Sequence, residues 1–503
     1  MIKRLIVVLC FLSLILQIFF RYKLTLTRYF DVDEYAHLHW GYNILTGSIP
    51  YRDFFYIFPP YFLFPVAAII AAFGRKAQTL IAVRGFIFLI QLAAYIALFL
   101  WARKLRGMLV ALMALVIFIF LPLPSDKLLE IRPDLLATVL SIAGLLLFVK
   151  AYENKKAIIY FISGFLFSIS LAIVPKTVFF LVPVTMVMFF RLNKSHLFFV
   201  LGVLLNFILV AFFFAASGKF LLALYLTTKL ASDVTKVLAS KFYMRPDIFF
   251  YPNDTFYGTP GISQTLIVNL IIYFVGIVWG IKNFVSSLSY TDDKKCVREF
   301  VFSATLMINL YAFVKIFPLK HLQYLIPVSP FVAFYFADLI VVIASIAKQS
   351  RPRLPRPLRG LAMTLIGLSS EIILVLIIGY LTYLSFIMFR YKSPWTNSAM
   401  IGKLNKLLTA IPQGEPVFDL TGETIFYPDG YYFCCLPYGQ YQEALNFKFP
   451  DFKEDIERRG TKYVHIGRTD RLEVLPAVHA RYIRENFKES EIAGILVKSE
   501  KKQ

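Results

Sequence analysis

The stretch from Tyr29 to Pro60 reads YFDVDEYAHLHWGYNILTGSIPYRDFFYIFPP and gathers Asp31, Asp33, Glu34, His37, His39 and Asp53. These are side chains that take and give protons. A carboxylate set beside a reacting hydroxyl is a general base, worth roughly 10²- to 10⁴-fold in rate. Asp31-Val32-Asp33-Glu34 opens a helical pattern, and an Asp there can cap the free N–H groups of a first turn. His37 follows Asp33 by four residues and Glu34 by three, so the three share one helix face. Three readings follow: a capped, solvated helix end, a divalent-ion site of Asp31, Asp33, His37 and His39, or a base at work. The ion reading is weak on spacing, which matches no tight ligand pattern. TGSIP then breaks the helix, and YRDFF brings Tyr51, Arg52 and Asp53.

Three later segments add charge. EIRPDLLATVL holds Glu130, Arg132 and Asp134, with Pro133 suited to a first helical turn. VPKTVFF holds Lys176, and FPLKHLQYLIPVSP holds Lys320, His321 and Tyr324. Each alone fits a cap, a snorkelling cation or an interfacial belt. Together they set acids on one loop and cations on three others. That set suits displacement of a phosphate-linked sugar. The base takes the acceptor's proton, and fixed positive charge holds the departing phosphate. A donor that arrives in the membrane needs no nucleotide-binding fold.

The elements that must position these groups are membrane helices. Of 503 residues, 58% are hydrophobic and 17% charged, with mean hydropathy +0.66. Apolar runs of membrane-crossing length recur. Their continuity excludes a barrel of short alternating strands. We expect about eleven spans: Leu5–Phe20, Leu80–Ala102, Met108–Leu123, Leu135–Val149, Ala157–Ile173, Val178–Phe190, Leu197–Ala216, Gln264–Ile281, Phe300–Phe317, Leu322–Ala347 and Leu361–Phe389. The net charge of +22 fits short basic loops on the cytoplasmic side rather than nucleic acid. ARKLRG, KAYENKK, RLNK, DDKKCVRE and KQSRPRLPRPLRG are those loops. They share one side only if the apolar run Pro59–Gly74 does not cross, so we expect an interfacial helix there. The N-terminus is then cytoplasmic, and the polar segments and the tail lie outside an inner (plasma) membrane. The first apolar segment lacks a small-x-small cleavage site and reads as an uncleaved span.

From Tyr391 the composition changes. GEPVFDLTG, TKYVHIG and EIAGILVKS read as strands, and PDFKEDIERRG and VLPAVHARYIRENF as amphipathic helices. We expect a membrane domain over 1–390, its first outer loop at 21–79, and a small α/β domain over 391–503. Cys434 and Cys435 are adjacent, a poor geometry for an ordinary bridge. Asn253-Asp254-Thr255 is a glycosylation sequon in a long outer loop.

The landmarks resemble the GT-C superfamily of polytopic glycosyltransferases. The branch is that of protein O-mannosyltransferases, aminoarabinose transferases and lipid A galacturonosyltransferases. The first-loop pattern is an acidic pair after the first span, a Gly-x-x-Pro-Tyr turn, an acid before Pro-Pro, and an apolar run ending in Phe-Gly. Here these are Asp33-Glu34, Gly47 to Tyr51, Asp53, Pro59-Pro60 and Phe73-Gly74. IRPDLLATVL and FPLKHLQYLIPVSPF add support.

The resemblance implies Asp33 as catalytic base, Glu34 as its neighbour and Asp53 as a second acid. Relatives often place Lys after that acid, where Phe54 stands here. Arg52, Arg132, Lys176, Lys320 or His321 must then bind the donor phosphate. His37, His39, Tyr51, Asp134 and Tyr324 are left for the sugar or acceptor. The implied reaction is an inverting transfer from a polyprenyl-phosphate-linked sugar to a lipid, surface glycan or protein, outside the membrane. Metal dependence varies among branches, so a divalent ion is left open. The rival is a transporter or lipid flippase, suggested by Asp338 and Glu371 within spans. No paired inverted halves support it.

Overall fold

The computed structural model describes residues 2–230, 263–318, 320–349, 356–436, 448–467, 475–492 and 494–499, with isolated residues between 232 and 237 and at 473. The sequon at Asn253 lies outside the described residues. Helix α1 (Ile2–Thr27) leads into α2 (Val32–Leu45) and α3 (Leu63–Phe73). Then come α4 (Gln78–Arg106), α5 (Met108–Phe120), α6 (Pro122–Leu129), α7 (Pro133–Asn154), α8 (Ala157–Ile173), α9 (Val178–Phe190) and α10 (His196–Ala216). Helices Ser263–Ser287, Asp293–Tyr311, Ser329–Gln349 and Arg356–Lys392 complete the bundle.

Among the described residues, seven helices are long and apolar enough to cross a membrane, or eight if α5 and α6, bent by 73°, make one span. Among the expected spans, Ala157–Ile173, Val178–Phe190 and Leu322–Ala347 fold as shorter apolar helices. The bend has a local cause, because Pro122 and Pro124 cannot continue the α5 hydrogen-bond ladder. LPLPSDKLLEIRPD, which the charge pattern sets on the outer side between two spans, is thereby turned inward, and every residue of α6 is buried. The run Pro60–Phe73 is a short apolar helix, as expected. It ends at Gly74, whose φ of 78° suits glycine, and it packs on α2: a Cβ on Gly41 would meet Val66 Cγ1 at 2.5 Å.

Away from α2, Trp101 packs on Phe302, Phe331 and Phe334 at ring distances of 4.7, 5.0 and 4.5 Å. Just beyond, Arg106 pairs with Glu299 at 2.6 Å and with Asp338 at 3.2 Å, and Trp279 donates to Asp338 at 2.8 Å. Asp338 thus ties three helices together.

The tail builds a four-stranded sheet from β1 (Val417–Asp419), β2 (Tyr463–His465), β3 (Phe487–Glu489) and β4 (Ile495–Lys498), in the order β1-β2-β4-β3. β1 and β2 run parallel, and the other two pairings are antiparallel. Helices Phe452–Arg458 and Ala477–Asn486 fall where the sequence places them. β3 was not expected, because Phe487 extends the preceding amphipathic pattern.

Candidate active site

The acids of the first loop divide by environment. Asp31 is the N-cap of α2: its carboxylate accepts from Asp33 N–H at 3.0 Å, and Glu34 returns the favour to Asp31 N–H at 2.9 Å. This is a capping box. Glu34 is fully buried, bound by Arg84 of α4 at 2.6 and 2.9 Å and by Ile131 N–H at 3.0 Å. Arg84 also donates to the carbonyls of Thr25, Arg28 and Tyr29, which seats the end of α1 against α4. Asp33 turns the other way, and its side chain is 41% exposed.

Arg132, the N-cap of α7, donates to Asp33 Oδ2 at 2.7 Å, to Asp31 at 3.2 Å and to Glu130. Lys127 holds Glu130 at 2.8 Å and lies 3.5 Å from Asp31. Arg28 lies 3.6 Å from Asp126 and 3.7 Å from Glu130, and Lys392 donates to Asp126. The result is an alternating chain of buried acids and cations, each needing its partner once water is removed. Burial raises the Asp31 carboxyl, but Lys127 and Arg132 outweigh it and hold it well below the usual range. Burial lifts Glu130 above the usual range against Lys127 and Arg132. Arg132, despite burial, is fixed as a cation by Asp33, Glu130 and Asp31.

Lys176 pairs with Asp134, and its ammonium lies 4.0 Å from the centre of the Tyr324 ring. His321 packs edge-on to Tyr324 at 5.6 Å. His37 and His321 both lie within the fields of Arg132 and Asp33. Burial and then Arg132 press each imidazole down to about 4, so both are neutral near neutral pH. The loops of Asp33, Arg132, Asp134, Lys176, His37, His321 and Tyr324 therefore converge.

The other expected residues sit elsewhere. Lys320 caps a helix end, donating to the carbonyls of Phe313, Val314 and Phe317. Asp53 accepts from Ile49 N–H at 2.7 Å and from half-exposed Arg52 at 2.8 and 2.9 Å. Tyr51, at φ 69°, donates to Phe58 O. This turn docks on the C-terminal domain: Phe55 N–H donates to Tyr432 O, Tyr432 OH to Tyr51 O, and Arg459 to Asp53 O. His39 is buried there too, beside Asp429.

Asp31, Asp33, His37 and His39 do not gather as a ligand set. Asp31 and Asp33 each turn one oxygen to Arg132, Asp31 faces Lys127 with its other, and the two imidazoles point to different neighbours. Among the described residues, the trio at ligating distance is His39, Cys434 and Cys435, within 4.8 Å of one another. The two sulfurs are joined as a disulfide, contrary to expectation. Cys435 takes φ 73°, and this left-handed turn brings the neighbouring thiols together.

Sequence reasoning missed Arg84, Lys127, Arg28, Asp126 and Asp429. Arg84 carried a signal, since an arginine inside an apolar run marks a buried partner. Asp429, in Pro428-Asp429-Gly430, reads as an ordinary turn.

This helical bundle with its acid-bearing first loop and appended sheet is similar in fold to solved structures of an ArnT and of an archaeal oligosaccharyltransferase. ArnT from Cupriavidus metallidurans in the apo state matches at TM-score 0.52 and 12% identity, over 85% of each chain. The same protein bound to undecaprenyl phosphate matches at 0.50 and 11%, over 85% of each chain. The Archaeoglobus fulgidus oligosaccharyltransferase tethered with an acceptor peptide matches at 0.50 and 12%, over 98% of this chain and 74% of that one. At such identities the likeness is one of fold. No protein-family model and no curated protein matches the chain.

Proposed function

We propose that this protein is an integral-membrane glycosyltransferase that moves a sugar from a polyprenyl-phosphate carrier to an acceptor outside the membrane, with Asp33 as general base. One observation carries the reading: Asp33 is the half-exposed member of an otherwise buried network of acids, held 2.7 Å from Arg132. The acceptor hydroxyl gives its proton to Asp33 as its oxygen bonds to the anomeric carbon. The bond from that carbon to the phosphate oxygen breaks, and the lipid phosphate leaves with the electron pair. A single displacement inverts the anomeric centre. Arg132 and Lys176 supply the charge for the leaving phosphate. Glu34 positions, and neutral His37, His321 and Tyr324 offer hydrogen bonds to sugar or acceptor.

The fold neighbours support the carrier and the acceptor in general terms, since one is bound to undecaprenyl phosphate and another is tethered to an acceptor peptide. The positive-inside rule supports a site on the outer side of an inner membrane. Asp33→Asn, expressed in the host, tests the assignment by mass spectrometry of surface glycolipids and glycoproteins. Loss of one product at unchanged protein level is expected. Normal product from that variant would sink Asp33 as the base.

A further inference from the structure

We infer that the C-terminal domain is a working part of this site, with Asp429 as the residue that positions α2, a claim that rests on the reading of Asp33 as base. α2 carries Asp33 in its first turn. Further along, it buries two polar side chains that its own helix does not satisfy, His39 at 1% exposure and Asn43 at 2%. Both reach one carboxylate, far away in sequence. Asp429 Oδ1 lies 2.7 Å from His39 Nε2, and Oδ2 accepts from Asn43 Nδ2 at 2.7 Å. His39 Nδ1 faces the carbonyl of Ile425 at 3.2 Å. Burial works against a proton on this ring, but the Asp429 carboxylate outweighs it and raises the imidazole above its ordinary value; with oxygens facing both nitrogens, the protonated ring donates to each. Charge-assisted bonds of this kind are strongest where water is excluded.

The grip has a second point. Gly422, at φ 77°, lies against the α2 backbone, and a Cβ there would meet Ala36 N at 3.0 Å. The domain therefore fixes both the position and the rotation of α2. A hydrogen-bonded helix is stiff over this length, so the direction in which Asp33 points is set in part by Asp429. A base displaced by even an ångström loses much of its effect.

Hydrogen exchange on the full-length protein in lipid nanodiscs tests this, with transfer read from the host's membranes. Asp429→Asn should raise exchange in residues 32–45 about tenfold or more while α4 and α7 stay protected. It should also cut transfer about tenfold, and Asp429→Glu should recover part of both effects. Unchanged exchange in α2 overturns the inference. So does an equal rise in α4 and α7, which would mean general loosening, and so does a loosened α2 with normal transfer. If Asp33→Asn transfers normally while Asp429→Asn loosens α2 alone, the assignment of Asp33 as base fails and the clamp itself stands.

Discussion

Arg84 holds Glu34 by two parallel hydrogen bonds, 2.6 and 2.9 Å long, with neither side chain exposed. The next residue back, Asp33, faces outward. Two adjacent acids thus have opposite environments, and their substitutions should separate. Arg84→Met leaves the Glu34 carboxylate in a dry interior without its cation, with the Asp31 and Ile131 N–H groups as its remaining partners, at a cost of about 3–5 kcal/mol. We expect a sharply lower thermal midpoint or little folded protein in detergent. Asp33→Asn should keep the parent midpoint within a few degrees, because its side chain is half-exposed and Arg132 keeps Glu130 and Asp31 as partners. Equal midpoints for Arg84→Met and the parent would remove Glu34 from its anchoring role.

Lys176, paired with Asp134, is one of the two cations proposed for the leaving phosphate. Lys176→Met should weaken binding of undecaprenyl phosphate by about tenfold, as loss of one charge-assisted contact does. Asp134→Asn removes the competing carboxylate and should leave binding equal or tighter. Titration of each variant with undecaprenyl phosphate in nanodiscs distinguishes them. Weaker binding in both would show that the pair acts only as a structural unit.

Much of this arrangement was legible in the sequence, for a physical reason. Hydropathy and loop charge report the solvent around each segment, and that put Asp33, Arg132, Lys176 and His321 on loops expected to share one side of the membrane. The strands Val417–Asp419 and Tyr463–His465 were visible as short runs of β-branched and aromatic residues bounded by glycine and proline turn signals. What one segment does to another was not visible. Glu34 reads like Asp33 until Arg84 arrives from α4, fifty residues on. Lys320 reads as a phosphate ligand until its ammonium is found on helix carbonyls. The pairing of His39 with Asp429 spans most of the chain, and no local pattern encodes it.

His37 links the site to pH. Its imidazole is buried against Trp40, Phe58 and Phe62, and burial with Arg132 lowers it from 6.5 to about 4. Between those values the unfolded chain binds a proton that the folded one refuses, so stability falls as pH drops through this window. The full effect, reached below the lower value, is about 3 kcal/mol. Thermal midpoints measured at pH 7.5, 5.5 and 4.5 should fall, and His37→Phe should fall less steeply. A variant with the parent's slope would show that His37 does not titrate in this way.

Helices α8 and α10 make the last case, which concerns the scaffold rather than the chemistry. A Cβ on Gly164 would meet the carbonyl oxygen of Phe199 at 2.1 Å, and one on Gly202 would meet that of Phe161 at 2.1 Å. Each glycine presses against the other helix's backbone, the close approach that small residues permit where no hydrophobic force drives helices together. Backbone cannot swing aside as a side chain does, so Gly164→Val must part the helices, at about 1–3 kcal/mol or more. Phe199 packs at 5.8 Å from Phe167 and 5.7 Å from Phe148, and that contact would open as well. α7 and α8 lead to Asp134 and Lys176, so the loss should reach the site. We expect a lowered midpoint together with weaker undecaprenyl phosphate binding, whereas Gly85→Ala on α4, where a Cβ meets open space, should change neither.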